Sequence, residues 1–416
     1  MSEGLGPRKA AVDLLDAVLG ERQLLSQAVA DPAGPLAGLD GAGRARAQRL
    51  AHSVLRQVEP VDAVLSPLLR KAPPLRVRNI LRLAVVELAQ GAAAHGVVNA
   101  AVSLAQRDRK TAAMKGMVNA VLRNLPAYAL STQKVQKLPR WLRQPLVHAW
   151  GREAVAAIEA VQAVPPPLDL TIRPDAAAPE GDRLPTGSLR LAEPGQVSVL
   201  PGYEAGGWWV QDAAAALAVP VLAPQAGERV LDLCAAPGGK TLQLAAAGAR
   251  VTALDISAPR MERVVENLAR CGLRAETVVA DALDWMPPTL FDAILLDAPC
   301  SATGTIRRHP DLPFVKDGSE IPALVALQAR LIDRAVAMLA PGGRLVFCTC
   351  SLLPDEGEAQ LAAALARHPG LKSVVPQVPG MEPDWIAPGG GLRLRPDYWA
   401  ARGGMDGFFM ARLERR

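Results

Sequence analysis

The sequence predicts an α/β fold, a mainly parallel sheet with helices on both faces, preceded by an all-α domain and a small α/β subdomain. Three observations carry this. From Gly227 onward, short apolar runs of strand length alternate with helical patterns, as strands joined by crossover helices do. Before Pro126 the apolar residues keep helical spacing, and no alternating β-branched run interrupts them. Between these regions Pro165-Pro-Pro167 forms a stiff punctuation.

Taken in order, residues 9–30 place Val12, Leu15, Val18 and Leu19 at helical spacing. Further helices are expected over 44–59, 61–69, 77–89, 97–105 and 111–125. Pro73-Pro74 breaks the series, because proline lacks the amide proton that an interior helical turn requires. Residues 130–163 read as a helical bridge carrying Trp141 and Trp150, and 168–173 and 189–191 read as short strands. Strands are then expected at 229–233, 250–254, 276–280, 291–296 and 344–348, with helices starting near Gly239, Ala258, Ile321 and Asp355. Residues 407–412 form a closing strand. The expected domains are residues 1–130, all-helical; 131–225, a linker and small subdomain; and 226–416, the α/β domain.

Composition bounds the function. With 416 residues, half of them apolar, the chain can bury a large core. No run approaches roughly 18 uninterrupted apolar residues and residues 1–10 lack an apolar signal core, so a cytoplasmic protein without membrane contact is expected, acting as a monomer. Five cysteines, an odd number in a long chain, are expected to be reduced thiols. The net charge of +5 hides an asymmetry: residues 1–168 hold 22 Lys and Arg against 12 Asp and Glu, and residues 169–416 hold 24 against 29. The basic part is the expected polyanion surface, since phosphate contacts by Lys and Arg give sequence-independent affinity. Solvated arginine-rich helices would look the same.

The chemistry centres on Cys234-Ala235-Ala236-Pro237-Gly238-Gly239-Lys240-Thr241, directly after the apolar run 229–233. A strand feeding a glycine-rich turn and a helix brings backbone N–H groups against a nucleotide-like ligand. No dinucleotide fingerprint is present, and a P-loop fails because its first glycine would fall on Cys234. Asp255, ending the second strand, can accept ribose hydroxyls, and Asp281, ending the third, can accept from an adenine amino group. Adenosine without a required pyrophosphate fits S-adenosylmethionine. Each Asp alone could be a helix cap; three at successive strand ends, counting Asp297, point to function.

Cys300 follows Asp297-Ala-Pro, and Cys350 follows Cys348-Thr349, so both stand where parallel strands deliver residues to the crevice. A zinc site is disfavoured, and no metal is expected. Cys300, Cys348 and Cys350 offer three thiolates, but no Cys or His stands at paired ligand spacing. A zinc deaminase would need H-x-E and P-C-x-x-C signatures, which are missing. Cys271 and Cys348 read as buried small hydrophobes, and Cys234 as packing beside the turn.

Together, Cys234 to Lys240, Asp297-Ala-Pro-Cys-Ser301 with Gly304, Arg307-Arg-His-Pro-Asp311 and Thr349-Cys-Ser351 resemble the RNA 5-methylcytosine methyltransferases of the Nop2/Sun family. The resemblance extends to Trp208-Trp-Val-Gln-Asp212 and Asp406-Gly-Phe-Phe409, and the helical N-terminal part resembles the NusB-like domain fused to the bacterial 16S rRNA members. It implies a class I, Rossmann-like, S-adenosylmethionine-dependent domain acting on RNA, with 16S rRNA as substrate.

Carbon 5 of cytosine is not nucleophilic until a thiolate adds to carbon 6, which makes an enamine able to attack a sulfonium methyl. By the resemblance Cys350 is the nucleophile and Cys300 assists release; residue physics alone leaves the two cysteines even. Asp297 is expected to hydrogen-bond the cytosine edge, and Lys240 to steady that carboxylate or lower a thiol pKa, although a helix N-terminal surface lysine is its plain alternative. The expected cofactor residues are Cys234, Ala235, Ala236, Pro237, Gly238, Gly239 and Lys240, with Asp255, Arg260, Asp281 and Asp297. Arg260, Arg307, Arg308 and His309 are candidates for the path of the RNA, with loop capping an equal reading for His309. The same activity on tRNA, or a catalytically silent RNA scaffold, are the alternatives. Two positions depart from the family pattern: Ala302 stands where glycine is usual, and Asp317-Gly318 interrupts the segment after Asp311.

Overall fold

The computed structural model describes residues 4–126, 129–192 and 195–416. The chain forms two compact units, and each is built from two pieces of sequence: Met1–Pro165 with Ile306–Asp317, and Pro166–Thr305 with Gly318–Arg416. No helix among the described residues is long and apolar enough to cross a membrane.

The first unit is helical: α1 (Leu5–Leu19), α2 (Leu25–Ala30), α3 (Gly41–Leu55), α4 (Val58–Leu65), α5 (Leu75–Ala89), α6 (Ala94–Arg107), α7 (Lys115–Arg123) and α8 (Arg140–Gln162). The single helix expected over 9–30 is two. Gly20 caps α1, and Arg22 takes a left-handed φ of 54° that turns the chain before α2. The core helix α5 starts directly after Pro74 and buries Val77, Ile80, Leu81, Ala84 and Val85, a stripe at helical spacing. Its one deeply buried cation, Arg82, is fully engaged, with both Asp62 oxygens at 2.7 and 2.5 Å and the Asn79 side-chain oxygen at 2.8 Å. The bridge helix α8 is interrupted at Gly151, whose φ of 84° is non-helical.

The second unit opens with a small antiparallel sheet, β1 (Leu168–Ile172), β2 (Asp182–Arg183), β3 (Leu189–Leu191) and β4 (Trp208–Val210), in the order β2-β3-β1-β4. A buried bidentate pair, Arg190 to Asp169 at 2.6 and 2.7 Å, ties β3 to β1. Two short helices follow, α9 (Ala213–Ala216) and α10 (Ala218–Leu222).

The main sheet comprises β5 (Arg229–Leu233), β6 (Arg250–Asp255), β7 (Glu276–Val279), β8 (Phe291–Asp297), β9 (Leu339–Thr349), β10 (Leu371–Val374), β11 (Leu392–Leu394) and β12 (Phe408–Arg415). Its order is β10-β12-β9-β8-β5-β6-β7, with β11 pairing on β12. The strands from β9 to β7 run parallel, while β12 pairs antiparallel with β9, β10 and β11. Helices α11 (Gly239–Ala246) and α12 (Ala258–Arg270) make the crossovers; α13 (Leu312–Val315) lies in the segment belonging to the first unit, and α14 (Ile321–Met338) and α15 (Glu358–Arg367) complete the set. On α12, Met261, Val264 and Leu268 are buried at i, i+3 and i+7, so this charged helix is held by one apolar stripe.

The returning segment Ile306–Asp317 is anchored inside the first unit. Phe314 and Val315 pack against the helical core, and Asp311 Oδ2 accepts from the backbone N–H of Leu25 at 3.0 Å. Arg307, expected on the path of the RNA, is only 1% exposed, which corrects that expectation; Arg308 and His309 are exposed.

Candidate active site

Strand β5 delivers the turn 234–241. Cys234 sits at φ 62° and Gly238, which caps α11, at φ 103°. A Cβ on Gly238 would meet Val264 at 3.2 Å, so both conformation and space require glycine. Burial, with the negative charges of Asp297 and Asp255, pushes the Cys234 thiol up to about 12, so it is neutral packing material. Ala235 and Ala236 are buried and Pro237 is exposed.

Asp255 is 3% exposed, and its oxygens accept from the N–H groups of Ala236 (3.1 Å) and Ser257 (2.9 Å). Arg260 donates to the Ala236 carbonyl and lies 4.0 Å from Asp255. These two residues therefore brace the turn. Beside them Ile256 is 69% exposed, a bare apolar side chain at the carboxyl edge of the sheet. Asp281 is exposed after β7, with Oδ1 accepting from Leu283 N–H at 2.9 Å.

Lys240, in the first turn of α11, is buried and reaches Asp297 Oδ2 at 2.7 Å. Burial opposes its charge, yet the Asp297 carboxylate and the further negative groups around it, Asp232 among them, together outweigh this and the ammonium pKa is raised. Lys240 is thus a structured partner of Asp297, and its charge lies over the Phe408 ring at 5.2 Å. Cys348 is fully buried, its Sγ 3.5 Å from Asp297 Oδ1, and burial pushes its thiol up.

Cys300 and Cys350, carried just past the ends of β8 and β9, meet with their sulfurs 3.4 Å apart and both half-buried. The Cys300 thiol pKa is raised, first by its hydrogen bond with Cys350, then by burial and by the charges of Cys350 and Glu356. The crossing beneath them is tight. Gly304 N–H donates to Cys350 O at 2.9 Å and Gly407 N–H to Gly304 O at 2.8 Å, and a Cβ on Gly304 would stand 1.9 Å from Gly407 O.

Sequence reasoning missed Glu356. Its side chain is fully buried and accepts from Ser301 N–H (2.9 Å), Ser351 Oγ (2.5 Å), Gln328 Nε2 (3.0 Å) and the Ser301 hydroxyl. The available signal was the repeated Cys-Ser dipeptide at 300–301 and 350–351, which places two hydroxyls where one acceptor can take both.

The carboxyl edge thus combines a left-handed glycine opening a helix, two carboxylates and an exposed isoleucine, which fits a sugar and an adenine ring. Fold and site define a class I S-adenosylmethionine-dependent methyltransferase. The family described as 16S rRNA methyltransferase RsmB/F matches residues 219–414, and the NusB family matches residues 6–126. Ribosomal RNA small subunit methyltransferase B of Cronobacter sakazakii is 35% identical, with 99% of each chain covered. Its counterpart in Pseudomonas syringae pv. tomato is 36% identical over 98% of this chain and 97% of that one. The chain belongs to the RsmB family of 16S rRNA methyltransferases and carries a NusB domain at its N-terminal end. Among solved structures, PH0851 shares the fold with a TM-score of 0.75 at 22% identity, covering 100% of both chains. A methyltransferase homolog from Pyrococcus horikoshii gives 0.55 at 27% identity over 66% of this chain and 94% of that one.

Proposed function

We propose that this chain methylates carbon 5 of a cytosine in 16S rRNA through a transient bond from Cys350 to carbon 6. The observation that carries this reading is the pair of sulfurs 3.4 Å apart beside the Lys240–Asp297 ion pair at the carboxyl edge. Bound S-adenosylmethionine supplies the methyl group as a sulfonium. The turn 234–240, Asp255, Arg260 and Asp281 would hold it, with Asp255 and Arg260 acting largely by shaping the turn.

Cys350 as thiolate adds to carbon 6, while Asp297, fixed by Lys240, receives the cytosine edge. A proton held between Lys240 and Asp297 and delivered to ring nitrogen 3 neutralises the charge pushed into the ring. On release the carbon-5–hydrogen and carbon-6–sulfur bonds break together: Cys300, 3.4 Å from Cys350, gives its proton to the departing sulfur and as thiolate takes the carbon-5 proton, while the proton on ring nitrogen 3 returns to the Asp297–Lys240 pair.

The test is incubation with methyl-labelled cofactor and separate rRNA and tRNA pools. Label in 5-methylcytosine of 16S rRNA is expected; label confined to tRNA would replace the substrate. Cys350→Ala should abolish transfer, and Cys300→Ala should accumulate a protein–RNA adduct. An adduct with the opposite variant would exchange the two roles.

A further inference from the structure

We infer that Glu356 is a positioning residue for methyl transfer, locking the two Cys-Ser dipeptides together so that Cys300 and Cys350 address one base. This rests on the reading of the two cysteines above.

Ser301 directly follows Cys300, and Ser351 directly follows Cys350. Their hydroxyls converge on the same oxygen of Glu356, Oε2, and lie 3.2 Å from each other. The second oxygen, Oε1, takes the backbone N–H of Ser301 and the amide of Gln328, whose nitrogen also holds Pro299 O at 2.9 Å. Around this point Thr303 Oγ1 lies 3.2 Å from both serine hydroxyls and accepts from Leu352 N–H, while Ser351 Oγ accepts from Leu353 N–H. One carboxylate thereby ties the loop after β8 to the loop after β9. Those loops are 50 residues apart in sequence, and each carries one of the reacting sulfurs.

Among the described residues, the donors to this carboxylate are hydroxyls and amides. A fully buried carboxylate satisfied this way is an expensive choice for stability alone, since apolar residues of similar volume would pack without desolvating a charge. What an apolar replacement could not do is grip two separate loops at one atom. Nor could it place a negative charge near Cys300, where that charge and Cys350 both act to hold the Cys300 proton. Cys300 is thereby held as the protonated partner of the pair, with its proton available at release.

The experiment uses the full chain with 16S rRNA and compares Glu356→Gln with Ser301→Ala and the unaltered protein. Glu356→Gln keeps the volume and can still accept from Ser301 N–H, but it replaces the common acceptor of both hydroxyls with an amide. We expect kcat to fall about 10- to 100-fold, as for a misplaced reacting group, with KM for RNA changed less than about threefold. The alkaline limb of the kcat–pH profile should move to lower pH as Cys300 loses the neighbouring charge. Ser301→Ala, which keeps its backbone N–H bond, should lower kcat about three- to tenfold with no displacement of that limb. A Glu356→Gln protein with unaltered kcat and pH profile overturns the inference. So does one whose activity loss merely equals its loss of folded protein. If Glu356→Gln fails to fold, Ser301→Ala with unaltered kcat overturns it. Failure of the parent reading is recognised separately, because the unaltered protein would then form no Cys350–RNA adduct.

Discussion

At the scale of single residues, Ala302 shows how a departure from a family pattern can be read physically. It follows the Cys300-Ser301 dipeptide at φ 58°, in the left-handed region where a Cβ is crowded by its own backbone. Glycine, usual at this place in the family the sequence resembles, removes that strain. Ala302→Gly should therefore stabilise the protein by about 1 kcal/mol, read as a rise in denaturant midpoint with unchanged slope. The candidate site was legible to the same degree. Cys300 and Cys350 could be picked out because polar motifs at strand ends have few structural reasons to exist. Glu356 could not, because a glutamate near an expected helix start reads as a solvated first-turn acid. Arg307 failed for the converse reason, since nothing in an Arg-Arg-His run announces which arginine is buried.

Among the elements, four parallel strands were read to within a residue, 229–233 for β5, 250–254 for β6, 276–280 for β7 and 291–296 for β8, whereas 344–348 is only the second half of β9, which begins at Leu339. Of these, β5, β6 and β8 are each a buried run closed by an aspartate or a glycine-rich turn, so pattern and environment agree. Strands β10 and β11 were not anticipated. They are four and three residues long and owe their state to pairing with β12, a tertiary cause that local sequence does not carry. Inside β5, Asp232 is fully buried, accepting from Thr241 at 2.6 Å. Burial, only partly opposed by Thr241 and Lys240, raises its pKa from 3.8 to about 7. A raised carboxyl pKa favours the folded state while the group is protonated, so its contribution is complete below pH 3.8 and is lost as pH rises through 7. The full effect is at most roughly 4 kcal/mol. Asp232→Asn should thus be matched with the unaltered protein at pH 4 and more stable than it at pH 8, as thermal midpoints measured at both values will show.

For the molecule as a whole, the division into two units follows packing rather than chain order. The Pro165-Pro-Pro167 punctuation coincides with one crossing between the units, at Pro165. The Asp317-Gly318 interruption coincides with another crossing, while the one at Thr305–Ile306 carries no comparable signal in the sequence. A fragment starting at Pro166 would keep Phe314 and Val315 but lose the helices they pack on, and Asp311 would lose its bond to Leu25. We expect that fragment to aggregate and the intact chain to stay dispersed, as light scattering of the two at equal concentration would show. Soluble, active fragment would mean that the segment needs no helical partner.

Because residues 306–317 belong to the helical unit while the sequences on both sides of them belong to the other, transplanting the NusB-like part between relatives is a two-piece graft. A chimera joined only at residue 165 would mate one parent's helices with the other parent's α13. Exchange of this unit between lineages therefore requires matched replacement at two distant places in the gene, which ties the inheritance of its two parts together.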